Sequence, residues 1–110
     1  MKTVTLDGAA VQDEPSFHAE CQRVFGFPSF YGGNMSAWVD CMGYLDEPDA
    51  GMSAVSVQPG EILVVEVKSA SAFKSAAPSL WLAFLECVAF VNWRRVEGGA
   101  MPILAVSAYA

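Results

Sequence analysis

One histidine, three cysteines and twelve carboxylates are the side chains of this sequence with chemistry to offer. Their spacing argues against most of it. His18 is isolated: no serine or cysteine motif points to it as a base, and it reads as a partly exposed helical histidine beside Phe17. Cys21, Cys41 and Cys87 are odd in number, widely spaced and without a Cys-x-x-Cys, so neither a disulfide framework nor a zinc site is indicated. Each falls in an apolar helical pattern, where a reduced thiol packs as a small hydrophobe. No Walker loop or Gly-x-Gly-x-x-Gly occurs, and Gly32 and Gly33 follow a helix and loop, whereas a phosphate loop follows a strand. Carboxylates alone can serve acid–base work, but the segment that carries them holds no basic or metal-ligating companion. The expectation is a protein that is not an enzyme, with no cofactor and no metal.

The distribution of charge is more informative than its sum of −6. Between Arg23 and Lys68 there is no lysine or arginine, while Asp40, Asp46, Glu47, Asp49, Glu61 and Glu66 all lie there. The remainder carries six acids and six bases, so the formal charge belongs to one segment. Such a field repels nucleic acid and steers a basic protein partner toward it. Charge alone is equally compatible with a solubilising acidic loop. Two adjacent aromatics, Phe30 and Tyr31, precede the acids in a loop that gives them no local reason to be there, which favours a binding stretch running from Phe30 to Asp49.

The elements that must position these residues follow from periodicity. Val4 and Leu6 alternate with polar residues before Gly8, predicting a strand closed by a turn. Phe17, Cys21, Val24 and Phe25 recur at helical spacing from about Pro15 until Gly26 and Pro28 stop the helix. Asn34 is placed to cap a second helix whose apolar stripe is Met35, Trp38, Val39, Met42 and Leu45, with Ser36, Asp40, Gly43 and Glu47 opposite. Residues 46 to 61 read as a long loop, with a short extended piece at Ala54 to Val57. The run from Glu61 to Val67 has a continuous apolar centre, predicting a strand buried on both faces or lying mid-sheet. Pro78 opens the longest helix, closed by Gly98 and Gly99, with a core face of Leu80, Trp81, Phe84, Leu85, Val88 and Val91. Leu82, Glu86, Ala89 and Trp93 line up away from that face, an apolar strip holding one acid, and Trp93 is of the type enriched in binding hot spots. Pro102 to Val106 is the last strand.

The predicted order is strand, helix, helix, strand, helix, strand. Helical crossovers favour a three-stranded parallel sheet with right-handed connections, an α/β fold in two layers with helices packed on the sheet. With 110 residues, 54% hydrophobic and 16% charged, the chain reads as one domain spanning 1–110 that folds alone. No apolar run reaches the ~18 residues of a membrane span, and Met1 to Thr5 enters a strand without a secretory segment. The expectations are a cytoplasmic location, no membrane association, and a monomer when free.

The stretch Phe27-Pro28-Ser29-Phe30-Tyr31-Gly32-Gly33-Asn34-Met35-Ser36-Ala37-Trp38-Val39-Asp40-Cys41-Met42 resembles the signature of the barstar family, inhibitors of secreted ribonucleases of the barnase type. Phe17, His18, Cys21 and Phe25 are similar to that family's first helix, and the later order of strand, long helix and strand matches its architecture. The resemblance implies a barstar-like fold and a basic partner, a ribonuclease toxin. It also implies that Asp40 enters a phosphate pocket lined by cationic side chains. Phe30 and Tyr31 match the family's contacting tyrosine pair, while Gly32, beside Gly33, lets the backbone approach. Ser36 stands where the family often has a second aspartate, and Trp38 then Val39 shifts the tryptophan beside the acid. No acid stands near Phe90 to Asn92, where the family's contact glutamate on the long helix should fall; Glu86, one turn earlier, is the candidate substitute. An inhibitor or immunity protein of a basic ribonuclease is therefore expected, with Asp40, Tyr31, Phe30, Ser36, Gly32, Gly33, Glu47, Glu86 and Trp93 as contact residues. The rivals are an acidic adaptor of the same fold whose partner is no nuclease, and a thiol-based redox or ligand-binding protein using Cys41 or Cys87.

Overall fold

A computed structural model of the protein describes residues 2–110. Strands β1 (Lys2–Asp7), β2 (Leu63–Lys68) and β3 (Leu104–Ala108) form a parallel sheet in the order β1-β2-β3. Helices α1 (Glu14–Phe25), α2 (Met35–Met42), α3 (Ala70–Ala76) and α4 (Pro78–Glu97) supply the connections. The α/β class and the parallel three-stranded sheet agree with the sequence-based expectation, with one added element. Helix α3 was not foreseen, because Ala70 to Ala76 offers one large apolar residue, Phe73, and no periodic stripe. It ends before Pro78, and α4 departs from it at 117°. Among the described residues no single helix is long and apolar enough to cross a membrane; α3 and α4 meet that test only as this bent pair.

Strand β2 is central, paired on both edges. Its Leu63, Val65 and Val67 are fully buried, but Val64 and Glu66 on the other face are only partly covered, so burial on both faces does not hold. Glu66 instead accepts hydrogen bonds from Thr5 Oγ1 at 3.2 Å and the Tyr109 hydroxyl at 3.4 Å. The predicted extended piece at Ala54 to Val57 pairs with no strand; Ala54 N–H and Val57 N–H donate to the carbonyls of Phe25 and Leu45. Strand β3 begins two residues later than predicted because Asn92 of α4 takes the place of a ladder partner. Its Oδ1 accepts from Ile103 N–H and Leu104 N–H, and its Nδ2 donates to Leu104 O. Gly8 is required by a close crossing: a Cβ there would meet the Ser69 carbonyl oxygen at 2.5 Å and that of Lys68 at 2.7 Å.

The four helices are held to one another by an aromatic cluster. Phe17 of α1 lies 6.4 Å from Trp38 of α2, 6.1 Å from Phe73 of α3 and 5.7 Å from Phe84 of α4, centroid to centroid. All four rings are inaccessible to solvent. The α2 stripe is buried as predicted at Trp38, Val39, Met42 and Leu45, although the helix itself stops at Met42. Capping follows the sequence signals: Asp13 and Ser16 form a reciprocal box at the start of α1, and Asn34 Oδ1 accepts from Ala37 N–H at 2.8 Å.

Helix α1 is tied to β1 through Glu20, a buried carboxylate that accepts from Asp7 N–H at 2.7 Å and forms a two-pronged ion pair with Arg23 at 2.6 and 2.9 Å. The Arg23 guanidinium foremost, with the Asp7 amide, holds the Glu20 carboxyl below its ordinary value against the opposing effect of burial. A depressed folded value means that the unfolded chain binds the extra proton. This contribution to stability is therefore complete above about pH 4.5, the ordinary glutamate value, and is lost as the pH falls through the depressed one. Urea unfolding at pH 7 and pH 3 should show a smaller acid loss in Glu20→Gln than in the wild type. Equal losses would show that the Glu20 contacts do not drive the acid sensitivity.

Candidate functional site

The loop between α1 and α2 is built on a run of rings. Phe25 stacks on Phe27 at 5.5 Å, Phe27 meets the tilted Tyr31 ring at 4.3 Å, and the Tyr31 ring lies 5.6 Å from His18. The Tyr31 hydroxyl is 2.5 Å from His18 Nδ1, and His18 Nε2 is 3.3 Å from Glu14. These two contacts hold the imidazole between the first turn of α1 and the loop. His18 is thus buried, not partly exposed as expected, and its work is to anchor the loop. Burial pushes the Tyr31 hydroxyl well above the usual tyrosine range. The two loop aromatics therefore part: Tyr31 is half-buried and turned inward, whereas Phe30 is 74% exposed. Gly33, at φ 66°, carries the left-handed turn into α2, with nothing near its missing Cβ; at Gly32 a Cβ would meet Asn34 Nδ2 at 3.3 Å.

Helix α2 places Ser36 and Asp40 one turn apart on its exposed face. The Asp40 side chain is 59% exposed. Two open clefts between α2 and α4 meet at this carboxylate. One, of about 500 Å³, is lined by Val39, Asp40, Tyr44, Glu47, Met52 and Arg94, with others. The second, about 350 Å³, is bordered by Met35, Ser36, Asp40, Cys87, Phe90 and Arg94. The structure therefore brings Ser36, Asp40 and Glu47 to one groove system. Glu86 and Trp93 line neither cleft; both stand exposed on the outer strip of α4, with Leu82 also open to solvent. Trp93 stacks on Phe90 at 5.9 Å, so the strip reaches the groove through Phe90.

The absence of basic companions in the acidic segment does not survive folding. Helix α4 carries Arg94 and Arg95 in its last turn, and both reach the acids. Arg95 is largely buried, donates to both Asp46 carboxylate oxygens at 3.2 and 2.8 Å, and also donates to the carbonyls of Gly43 and Met101. Arg94 Nη1 lies 3.6 Å from Asp40 Oδ1, and its Cζ sits 5.6 Å over the Phe90 ring. Sequence reasoning missed these arginines. The only signal was two cations at a helix C-terminus, which the helix dipole already accounts for.

The thiols offer little reactivity. Cys21 and Cys41 are buried and Cys87, against expectation, is only half-buried; all three are free. Burial pushes the Cys21 thiol up to about 12 and raises those of Cys41 and Cys87, with the neighbouring Asp40 and Glu86 charges adding to it at the latter two. A raised thiol is poorly ionised and a poor nucleophile. Among the described residues no group of three His, Cys, Asp or Glu side chains is placed to hold a metal ion.

What the arrangement can do is accept cationic groups at Asp40, with the Phe90 ring bordering the same cleft and Trp93 stacked on it; Phe30 is a further exposed ring on the loop before α2. Comparison with known proteins places the chain as a whole. No curated protein gives a significant match. The family model for barstar, the barnase inhibitor, matches residues 1–102, and the chain belongs to the barstar family.

Proposed function

We propose that the protein inhibits a basic ribonuclease of the barnase type by presenting Asp40 to its phosphate-binding site, acting as the immunity protein of a cell that makes or meets that enzyme. The observation that carries this reading is the position of Asp40: an exposed carboxylate at the meeting point of two clefts, on a helix whose opposite face is fixed in the core. A carboxylate so placed accepts paired hydrogen bonds from guanidinium groups, which strengthen as water is excluded. Ser36 lies one turn before it on α2, Glu47 follows that helix and lines the same cleft, Phe30 stands exposed on the loop that Tyr31, Gly32 and Gly33 shape, and Trp93 and Glu86 extend the surface along α4. Inhibition is occlusion, steric and electrostatic, and needs no catalytic group or cofactor. The inhibitor acts as a monomer in the cytoplasm, where it shields the cell's own RNA.

The membership of the family supports this reading, as does the raised state of every thiol, which disfavours redox chemistry. Titrating a barnase-type ribonuclease with the purified protein should abolish RNA cleavage at one equivalent, with slower association as ionic strength rises. Full nuclease activity at a large excess of the protein, for every ribonuclease of the type, would leave the acidic adaptor as the better description.

A further inference from the structure

The two arginines at the end of α4 hold their acids in different ways. Arg95 is 15% exposed in its side chain and makes four hydrogen bonds, fixing the C-terminal end of α2 to α4. Arg94 is 53% exposed in its side chain, its guanidinium donates no hydrogen bond among the described residues, and it holds Asp40 only through a 3.6 Å ion pair steadied by the Phe90 ring. An ion pair this open to water is weak and screened, so the guanidinium swings away readily. It cannot swing far, since it remains tethered beside both clefts that Asp40 borders.

We infer that Arg94 is a specificity-determining residue of this surface, an internal competitor for Asp40 that a basic partner must displace. The inference rests on the reading of Asp40 as the contact group. In the free protein Arg94 neutralises the carboxylate and lowers the field that steers cations toward it. In the complex the displaced guanidinium stays close to the partner's own cations, and like charges brought together at an interface oppose binding. A pocket made of cations alone is therefore disfavoured. A pocket with a carboxylate on its rim, able to receive the guanidinium in a two-pronged bond, is the partner chemistry that this surface tolerates best.

The test is binding of barnase, as the probe, to wild-type protein, Arg94→Gln, Lys74→Gln, Asp40→Ala and the Asp40→Ala/Arg94→Gln double variant, by stopped-flow association and calorimetry at low and high salt. Lys74, exposed on α3, controls for the change in net charge. Arg94→Gln is expected to bind about tenfold more tightly than wild type, mostly through faster association at low salt, and by clearly more than Lys74→Gln. The gain is expected to vanish in the Asp40→Ala background. Binding by Arg94→Gln that is unchanged, weaker, absent as in the wild type, or matched by Lys74→Gln overturns the inference, as does a gain that persists without Asp40. The single Asp40→Ala variant separates the two claims. Full binding without Asp40 sinks the functional reading, whereas binding lost there with no gain from Arg94→Gln sinks only the role of Arg94.

Discussion

Replacing Asp40 by alanine is expected to weaken the complex with the target ribonuclease by about 2–5 kcal/mol, a loss of tens- to thousands-fold in affinity. That range describes buried, hydrogen-bonded charge pairs in general, the founding inhibitor–nuclease pair of this family among them. The size comes less from the bonds lost than from the partner's cations left buried and unpaired. Asp40→Asn keeps the shape and one acceptor but removes the charge, and should fall between. Because the Asp40 side chain is more than half exposed and its one ion pair is screened, neither variant should change folding by more than about 1 kcal/mol. Inhibition constants measured beside urea unfolding curves separate the two effects. An alanine variant that inhibits as well as the wild type would remove Asp40 from the interface.

The largest expected effect on stability belongs to Phe17→Ala, which should lower the free energy of unfolding by about 3–5 kcal/mol, a large part of the ~5–15 kcal/mol typical of a domain. Phe17 is the ring at which α1, α2, α3 and α4 meet, and none of its surface is accessible. Truncation removes transfer energy and leaves a hole bounded by Trp38, Phe73 and Phe84, whose rigid rings refill it poorly. The midpoint of urea unfolding should drop with little change in slope. A loss below about 1 kcal/mol would mean that the four helices are held by other contacts. Since Phe17 is wholly buried and offers no surface to a partner, Phe17→Ala should impair inhibition chiefly where the protein begins to unfold, in contrast to Asp40→Ala.

The two residues mark the division between what periodicity reveals and what it hides. The core faces of α1, α2 and α4 were legible because Phe17, Trp38 and Phe84 recur with the helical repeat, and β2 because an apolar centre lies between turn signals. Helix α3 was not, since a seven-residue segment with Phe73 as its one large apolar residue carries no stripe; it forms because Phe73 has a cluster to enter. Nor was β3's start, which Asn92 sets from a different helix. Within the site, Asp40 and Ser36 could be placed on one exposed face by counting, whereas Phe30 and Tyr31, neighbours of like type, could not be told apart until His18 was seen to draw one of them inward.

The stretch from Phe30 to Asp49 shows the same limit in its charge. Its acids, its aromatic loop and its helix phase are local properties, set by composition and by a repeat of three to four residues, and the sequence by itself determined them. The state of those acids is not local. Charge interacts through space, and only the tertiary structure decided that Arg95 would lock Asp46 while Arg94 came to rest, exposed and exchangeable, on Asp40. A count along the chain makes this segment uniformly acidic because it cannot know that α4 returns across α2 with two cations at its end. Asp40 therefore stands at the surface as one half of an open ion pair.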